Sequence, residues 1–143
     1  MIRVVLDTSV LVSAVISSGG PNARLFDDIL AGTFKPYVTE AVVDEYTRVF
    51  SYERLKHLDK RRIARLRGAL LRVAVMVKPS GRLRLSGHED DNRIYECAAA
   101  ARAHYILTEN TRHFNAMAVP HVAQIPTYLI NFSEIPISDD LIY

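Results

Sequence analysis

Ile2-Arg3-Val4-Val5-Leu6-Asp7 is the stretch on which the fold turns. It is short, rich in β-branched side chains and stopped by an acid, so it reads as a strand buried on both faces. From Ser9 to Ile16 the apolar residues continue almost all round, as in a helix packed inside a fold, until Gly19-Gly20-Pro21 breaks the pattern. Working outward, Asn22 offers an N-cap for a helix to about Ala31. Tyr37-Val38-Thr39 reads as a short strand and Glu40 to about Phe50 as a helix. A second helix from about Asp59 to Arg72 leads into an apolar strand from Val73 to Val77. A helix from about Asp90 to Ala103, the strand Tyr105-Ile106-Leu107 and a last strand within Thr127 to Ile130 complete the pattern. Strands alternate with helices, which predicts an α/β fold: a three-layer α/β/α sandwich around a central parallel sheet.

The chain has 143 residues, 49% of them apolar and 24% charged, which suits one globular domain spanning 1–143 and argues against disorder or low complexity. A single cysteine, Cys97, forms no internal disulfide and reads as a small core residue. No run approaches the ~18 apolar residues of a membrane span, and the N-terminus lacks the form of a signal peptide, so a cytoplasmic protein with no membrane attachment is expected. The net charge of +2 is unevenly spread. Between Arg54 and Arg84 stand eleven Lys or Arg and one acid, a net of +10, whereas the remaining residues sum to −8. A basic surface of that kind points toward a polyanion.

Ligands of open parallel sheets sit beyond the carboxyl ends of the strands, which draws attention to acids placed there. Asp7 follows the first strand at once, and Asn110 lies three residues beyond Leu107. Helical periodicity selects the other acids. Glu45 borders the stripe of Val42, Val43, Tyr46, Val49 and Phe50, whereas Glu40 and Asp44 fall opposite. Asp91 falls on the face of Ile94, Tyr95, Ala98 and Arg102; Glu96 points away, and Asp90 at the margin is the natural N-cap. Two like charges 4 Å apart repel by ~4 kcal/mol at an effective dielectric of 20, so Asp7, Glu45 and Asp91 converging would take up protons or bind a cation. Oxygen donors without His or Cys suit Mg²⁺ or Mn²⁺, which activate water and neutralise a phosphodiester.

These same segments resemble the PIN domains. Val4-Val5-Leu6-Asp7-Thr8-Ser9-Val10-Leu11 is similar to their opening, Val42-Val43-Asp44-Glu45-Tyr46 to their central acidic helix, and Glu89 through Ala98 to their third acidic motif. Tyr105-Ile106-Leu107-Thr108-Glu109-Asn110 is similar to the strand and turn that carry the fourth. The likeness covers nearly the whole chain in order, and is strongest to the toxin components of toxin–antitoxin systems. It implies a metal-dependent endoribonuclease, a homodimer and a cognate antitoxin, with Asp7, Glu45 and Asp91 as the metal carboxylates. It also implies Thr8 or Ser9 as an outer-shell hydroxyl, with Thr108 near the metal. The fourth position, often Asp in that family, is Asn110 here, which keeps an oxygen ligand and removes one negative charge. Glu109, its neighbour in an extended turn, is expected to project elsewhere.

In the Asp59 to Arg72 helix, Ile63, Leu66, Leu70 and Leu71 make an apolar stripe, with Arg61, Arg65 and Arg72 opposite and Arg62 beside them. These arginines are expected to contact the phosphates of an RNA substrate, positioning it without reading its sequence. For each feature a plainer role stands beside the functional one. Asp7 can serve a turn, Asp91 a helix cap, the basic run a solvated face, Ser9 a cap for the first helix, and Thr108 a cap for a turn from Thr111 to Phe114. His57, His88, His104, His113 and His121 lack metal-ligand spacing. A non-cleaving RNA-binding or interaction module is the alternative function. An aspartyl-nucleophile phosphatase ranks below it, because Ser9 stands where that chemistry wants a second Asp. Dinucleotide binding ranks last, for want of a Gly-x-Gly-x-x-Gly motif.

Overall fold

A computed structural model describes residues 1–17, 19–84 and 87–110, together with the strands at 118–120 and 128–131. The elements run β1 (Ile2–Leu6), α1 (Thr8–Ile16), α2 (Pro21–Leu30), β2 (Phe34–Val38), α3 (Glu40–Arg48), α4 (Lys60–Val73), β3 (Val75–Met76), α5 (Glu89–Ala101), β4 (Tyr105–Thr108), β5 (Ala118–Pro120) and β6 (Tyr128–Asn131). Short 3₁₀ turns at Val49–Ser51 and Glu53–Leu55 join α3 toward α4. The sheet order is β3-β2-β1-β4-β6-β5, and its first four strands are parallel. Both pairings of β6, with β4 and with β5, are antiparallel, so the parallel sheet carries a reversed edge. Helices pack in two groups, α1 with α2 and α4, and α3 with α5, giving the α/β/α layering that the alternation predicts.

This order places a topological switch point between β1 and β4. After β1 the chain builds β2 and β3 to one side, and it returns through α5 to add β4 on the other. Helices that leave adjacent strands in opposite directions open a crevice at their carboxyl ends. Val4, Val5, Leu6, Ile106 and Leu107 are fully or nearly fully buried, and they pack with Leu11, Phe26, Tyr46, Ile94 and Tyr95 into one cluster. Each such side chain contributes ~1.5–3 kcal/mol on leaving water. The crevice therefore rests on the close-packed core of the molecule.

Several boundaries differ from the sequence reading, each for a local reason. The apolar run Val73–Val77 is not all strand. The helix continues through Val73, closing with an Ala74 N–H bond to the Leu70 carbonyl, and only Val75–Met76 pairs with β2. An unbroken apolar run satisfies helix and strand alike. Thr39 is not in β2. Its hydroxyl accepts the Val42 N–H at 3.2 Å and so caps α3. Asn22 is not the cap of α2. Gly20 takes that place, with Pro21 at the start of the helix, where its fixed φ suits and its missing N–H costs nothing. Asp90 is likewise inside α5, whose N-cap is His88. Arg102 leaves the α5 face altogether, adopting φ +50° as the C-cap. Glu96 does not reach solvent. It is 5% exposed, pairs with Arg93 at 2.8 Å and accepts the Leu83 N–H at 3.0 Å, pinning the loop before α5. The turn from Thr111 to Phe114, His113 and His121 lie outside the described residues.

The Tyr46 hydroxyl, buried on α3, donates to the carbonyl of Leu6, the last residue of β1. This bond ties the helix that carries Glu45 to the strand that delivers Asp7. Tyr46→Phe should therefore lower the unfolding free energy by about 1–3 kcal/mol in urea titrations, since it strands a buried acceptor. Unchanged stability would show that the tie carries nothing.

Candidate functional site

Asp7 leaves β1 at the switch point and is locked there by backbone and side chain together. Its N–H donates to the Leu107 carbonyl at 2.9 Å. Its carboxylate, in a residue only 5% exposed, accepts two hydroxyls on one oxygen, Oδ2: Ser9 at 2.8 Å and Thr108 at 2.7 Å. Ser9 is thus not the helix cap. Asp7 itself occupies the N-cap position of α1, without a side-chain cap bond. The network continues into the turn after β4, where the Asn110 N–H donates to Thr108 Oγ1 at 2.9 Å and the Glu109 N–H to Ser9 Oγ at 3.2 Å. Ser13, one helical turn beyond Ser9, donates its hydroxyl to Glu109 Oε2 at 2.6 Å. Hydrogen bonds to carboxylates are short and roughly twice as strong as neutral ones, so these hold the ends of β1 and β4 and the start of α1 as one unit.

A cavity of about 350 Å³ opens at this point, and Asp7, Glu45, Asp91, Glu109 and Asn110 all line it. Asp91 is 6% exposed in the first turn of α5, whose amide dipoles favour an anion. Glu45 reaches the cavity from α3, and its pKa is pushed up to about 7. Burial is the largest cause, the negative charges of Asp90 and Asp7 add to it, and the nearby Thr8 hydroxyl and Arg48 guanidinium oppose it. Neither Thr8 Oγ1 nor Glu45 Oε2, both buried, completes a well-formed hydrogen bond among the described residues. Asp90 sits half-exposed at the lip, ion-paired with Arg48 at 2.9 Å. The Tyr52 hydroxyl, and then Asp90, hold Arg48 still more firmly in its charged form.

Among the described residues no three His, Cys, Asp or Glu side chains stand close enough together to form a ready metal cage. The carboxylates share a cavity without being drawn onto one point. The donor chemistry nevertheless suits a hard divalent cation. The lining offers carboxylate, amide and hydroxyl oxygens, and the buried Glu45 Oε2 has no well-formed hydrogen bond among the described residues.

Two residues depart from expectation. Glu109 does not project elsewhere: its carboxylate turns onto the cavity wall, held by Ser13. The serine that holds it lies 96 residues away in sequence, so no local pattern announces the contact. Arg62 is not a free phosphate contact. Its Nε and Nη2 donate to the carbonyls of Val15 and Ala14, each at 2.8 Å, closing the C-terminal end of α1 with a cation. Arg61, Arg65 and Arg72 are exposed on α4, and none of them lines the acidic cavity. The basic side chains that do so are Arg54 and His88, joined at the mouth by Tyr52. Cys97 is buried, its thiol pushed up to about 12 chiefly by desolvation, which makes it unreactive.

A family model described as PIN domain matches residues 3–112. An uncharacterized protein of Methanocaldococcus jannaschii is 28% identical over 104 residues, which cover 71% of this chain and 67% of that protein. The matched span contains every residue of the cavity wall. No helix among the described residues is long and apolar enough to cross a membrane.

The raised Glu45 pKa has a consequence for stability. A carboxyl that titrates near 7 when folded and near 4.5 when unfolded binds more protons in the folded state between those values. Stability without metal therefore falls as pH rises through that window. Glu45→Gln removes the cost of the charge. Because solvent screens part of this charge, urea unfolding in a chelator should find the variant more stable than the wild type by about 1–2 kcal/mol near pH 8, with the gap closing toward pH 5. A difference that does not change with pH would refute the burial of this charge.

Proposed function

Since the chain belongs to the PIN-domain family, whose members are in general nucleases, we propose that its acidic cavity hydrolyses RNA phosphodiesters with the help of Mg²⁺ or Mn²⁺. The observation that carries the reading is the meeting of Asp7, Glu45 and Asp91 in one cavity at the switch point, where the charged form of Glu45 is already disfavoured. Asp7, Glu45 and Asp91 would hold the ion, and Asn110 would complete its surroundings through an amide oxygen. Such an ion supplies an activated water and offsets charge on the phosphodiester.

The protein's own groups have separate tasks. Ser9 and Thr108 fix Asp7 through Oδ2, which would leave the other oxygen of that carboxylate for the ion. Thr8, beside Glu45, favours its ionised form. Ser13 restrains Glu109, a further carboxylate on the wall that makes good part of the charge missing at Asn110. Arg48 neutralises Asp90 at the lip and, more weakly, favours the ionised form of Glu45.

The biological setting we assign is that of a toxin restrained by a cognate antitoxin, acting as a homodimer in the cytoplasm and built as one domain over residues 1–143. Its support is the ordered resemblance of the four acidic segments. Arg61, Arg65 and Arg72 on the exposed face of α4 would give long-range attraction for RNA. A second reading, a non-cleaving RNA-binding module, draws on the uncharged Asn110 and on carboxylates that stand apart.

Two substitutions separate the readings. Purified protein with Mn²⁺ should cut single-stranded RNA, and Asp7→Asn should lower the rate by on the order of 100-fold or more. Thr108→Val, which removes one of two hydroxyls from Asp7, should weaken Mn²⁺ binding by calorimetry about 10-fold with the fold intact. RNA binding without Mn²⁺ binding or cleavage would establish the module instead.

A further inference from the structure

The mouth of the cavity carries a group that the acidic floor does not explain. Tyr52 is 38% exposed between the two 3₁₀ turns, and the guanidinium carbon of Arg54 lies 5.5 Å from the centre of its ring. Both residues line the cavity. Arg48 on the same rim is committed to Asp90, whereas Arg54 has no ion pair among the described residues. An arginine stacked on an aromatic face keeps its in-plane N–H donors free and loses less freedom on forming a forked contact with phosphate. It is the Lys or Arg that a strand entering the cavity would meet next to the carboxylates.

We infer that Arg54, stacked on Tyr52, is the phosphate grip by which the site takes an RNA strand. This deepens the nuclease reading and rests on it for the identity of the polymer. The size of the cavity favours one strand over two. At about 350 Å³ it lies near the lower end of the ~300–1,000 Å³ typical of small-ligand pockets, a size that suits a single extruded nucleotide. Proteins read duplex RNA by shape across successive grooves, and single strands by cationic contacts beside aromatic rings. Tyr52 with Arg54 is a pair of the second kind. Tyr52 acts here as a positioning residue, and its hydroxyl, which favours the charge of Arg48, links the grip to the rest of the rim.

Fluorescence anisotropy with a short fluorescein-labelled RNA strand tests this directly, in a chelator so that the readout is independent of turnover. Arg54→Ala should weaken binding about 5- to 10-fold and flatten the plot of log affinity against log salt by close to one unit, as expected for one lost phosphate contact. Tyr52→Ala should lose several-fold, and Tyr52→Phe, which keeps the ring, should lose clearly less than Tyr52→Ala. The wild type should bind the same strand in a duplex more weakly. An Arg54→Ala protein with unchanged affinity and salt slope overturns the grip, and equal affinity for duplex overturns the single-strand assignment. The two readings separate cleanly. Loss of binding in Arg54→Ala with no cleavage by the wild type under Mn²⁺ leaves the grip standing and removes the nuclease. Cleavage by the wild type with Arg54→Ala binding and cutting equally well does the reverse.

Discussion

One carboxylate oxygen organises this site. Asp7 Oδ2 accepts a hydroxyl from the helix that follows it and another from a strand 101 residues away in sequence. That pair of bonds, with the Asp7 N–H on the Leu107 carbonyl, fixes the junction of β1, α1 and β4. The turn after β4 and the helix carrying Glu45 are placed by reference to it. The turn after β4 hangs from Thr108 and Ser9, and α3 is tied to the end of β1 through Tyr46. The buried strands beneath supply the rigidity. A displacement of Asp7 would have to break charge-assisted hydrogen bonds or open a close-packed core.

The electrostatics divide the acids into two sets. Asp90 is matched by Arg48, and Glu96 by Arg93. Glu96 uses its charge structurally, as an acceptor for the Leu83 N–H, and so settles the loop that leads to His88 and α5. At Glu45 the cost of crowding acids shows directly: its carboxyl is held close to neutrality by burial and by the negative charges of Asp90 and Asp7. A divalent cation held by Asp7, Glu45 and Asp91, as proposed, would lower that cost. This is the physical reason for preferring a cation site over a set of turn and cap residues, each of which would be content near solvent. The same division gives the cavity its polarity, an acidic floor beneath a lip where Arg54 remains available to a polyanion.

Much of this was legible in the residue order. A β-branched run ending in Asp located the carboxyl end of the first strand, and the 3.6-residue period put Glu45 and Asp91 on inward faces; both line the cavity. What periodicity could not reveal were contacts made across the fold. Glu109 looked misdirected because its serine partner lies on α1, and Arg62 looked solvated because its acceptors are carbonyls at the end of that same helix. Glu96 looked outward because its partners are a loop amide and a neighbour whose side chain folds back. Strand β5 gave no signal, since three residues with a proline are too few to establish a period. Val73 shows the converse limit: an apolar run is common ground for helix and strand, and tertiary packing decides between them.

The central claim is that the acids at the end of β1 need a divalent ion, and anomalous diffraction from crystals grown with Mn²⁺ tests it most directly. The account predicts a manganese peak in the cavity between Asp7 and Asp91, with Glu45 drawn toward it, and none in crystals of Asp7→Asn. A cavity free of manganese at saturating concentration, or a peak that survives the loss of the Asp7 charge, would contradict it.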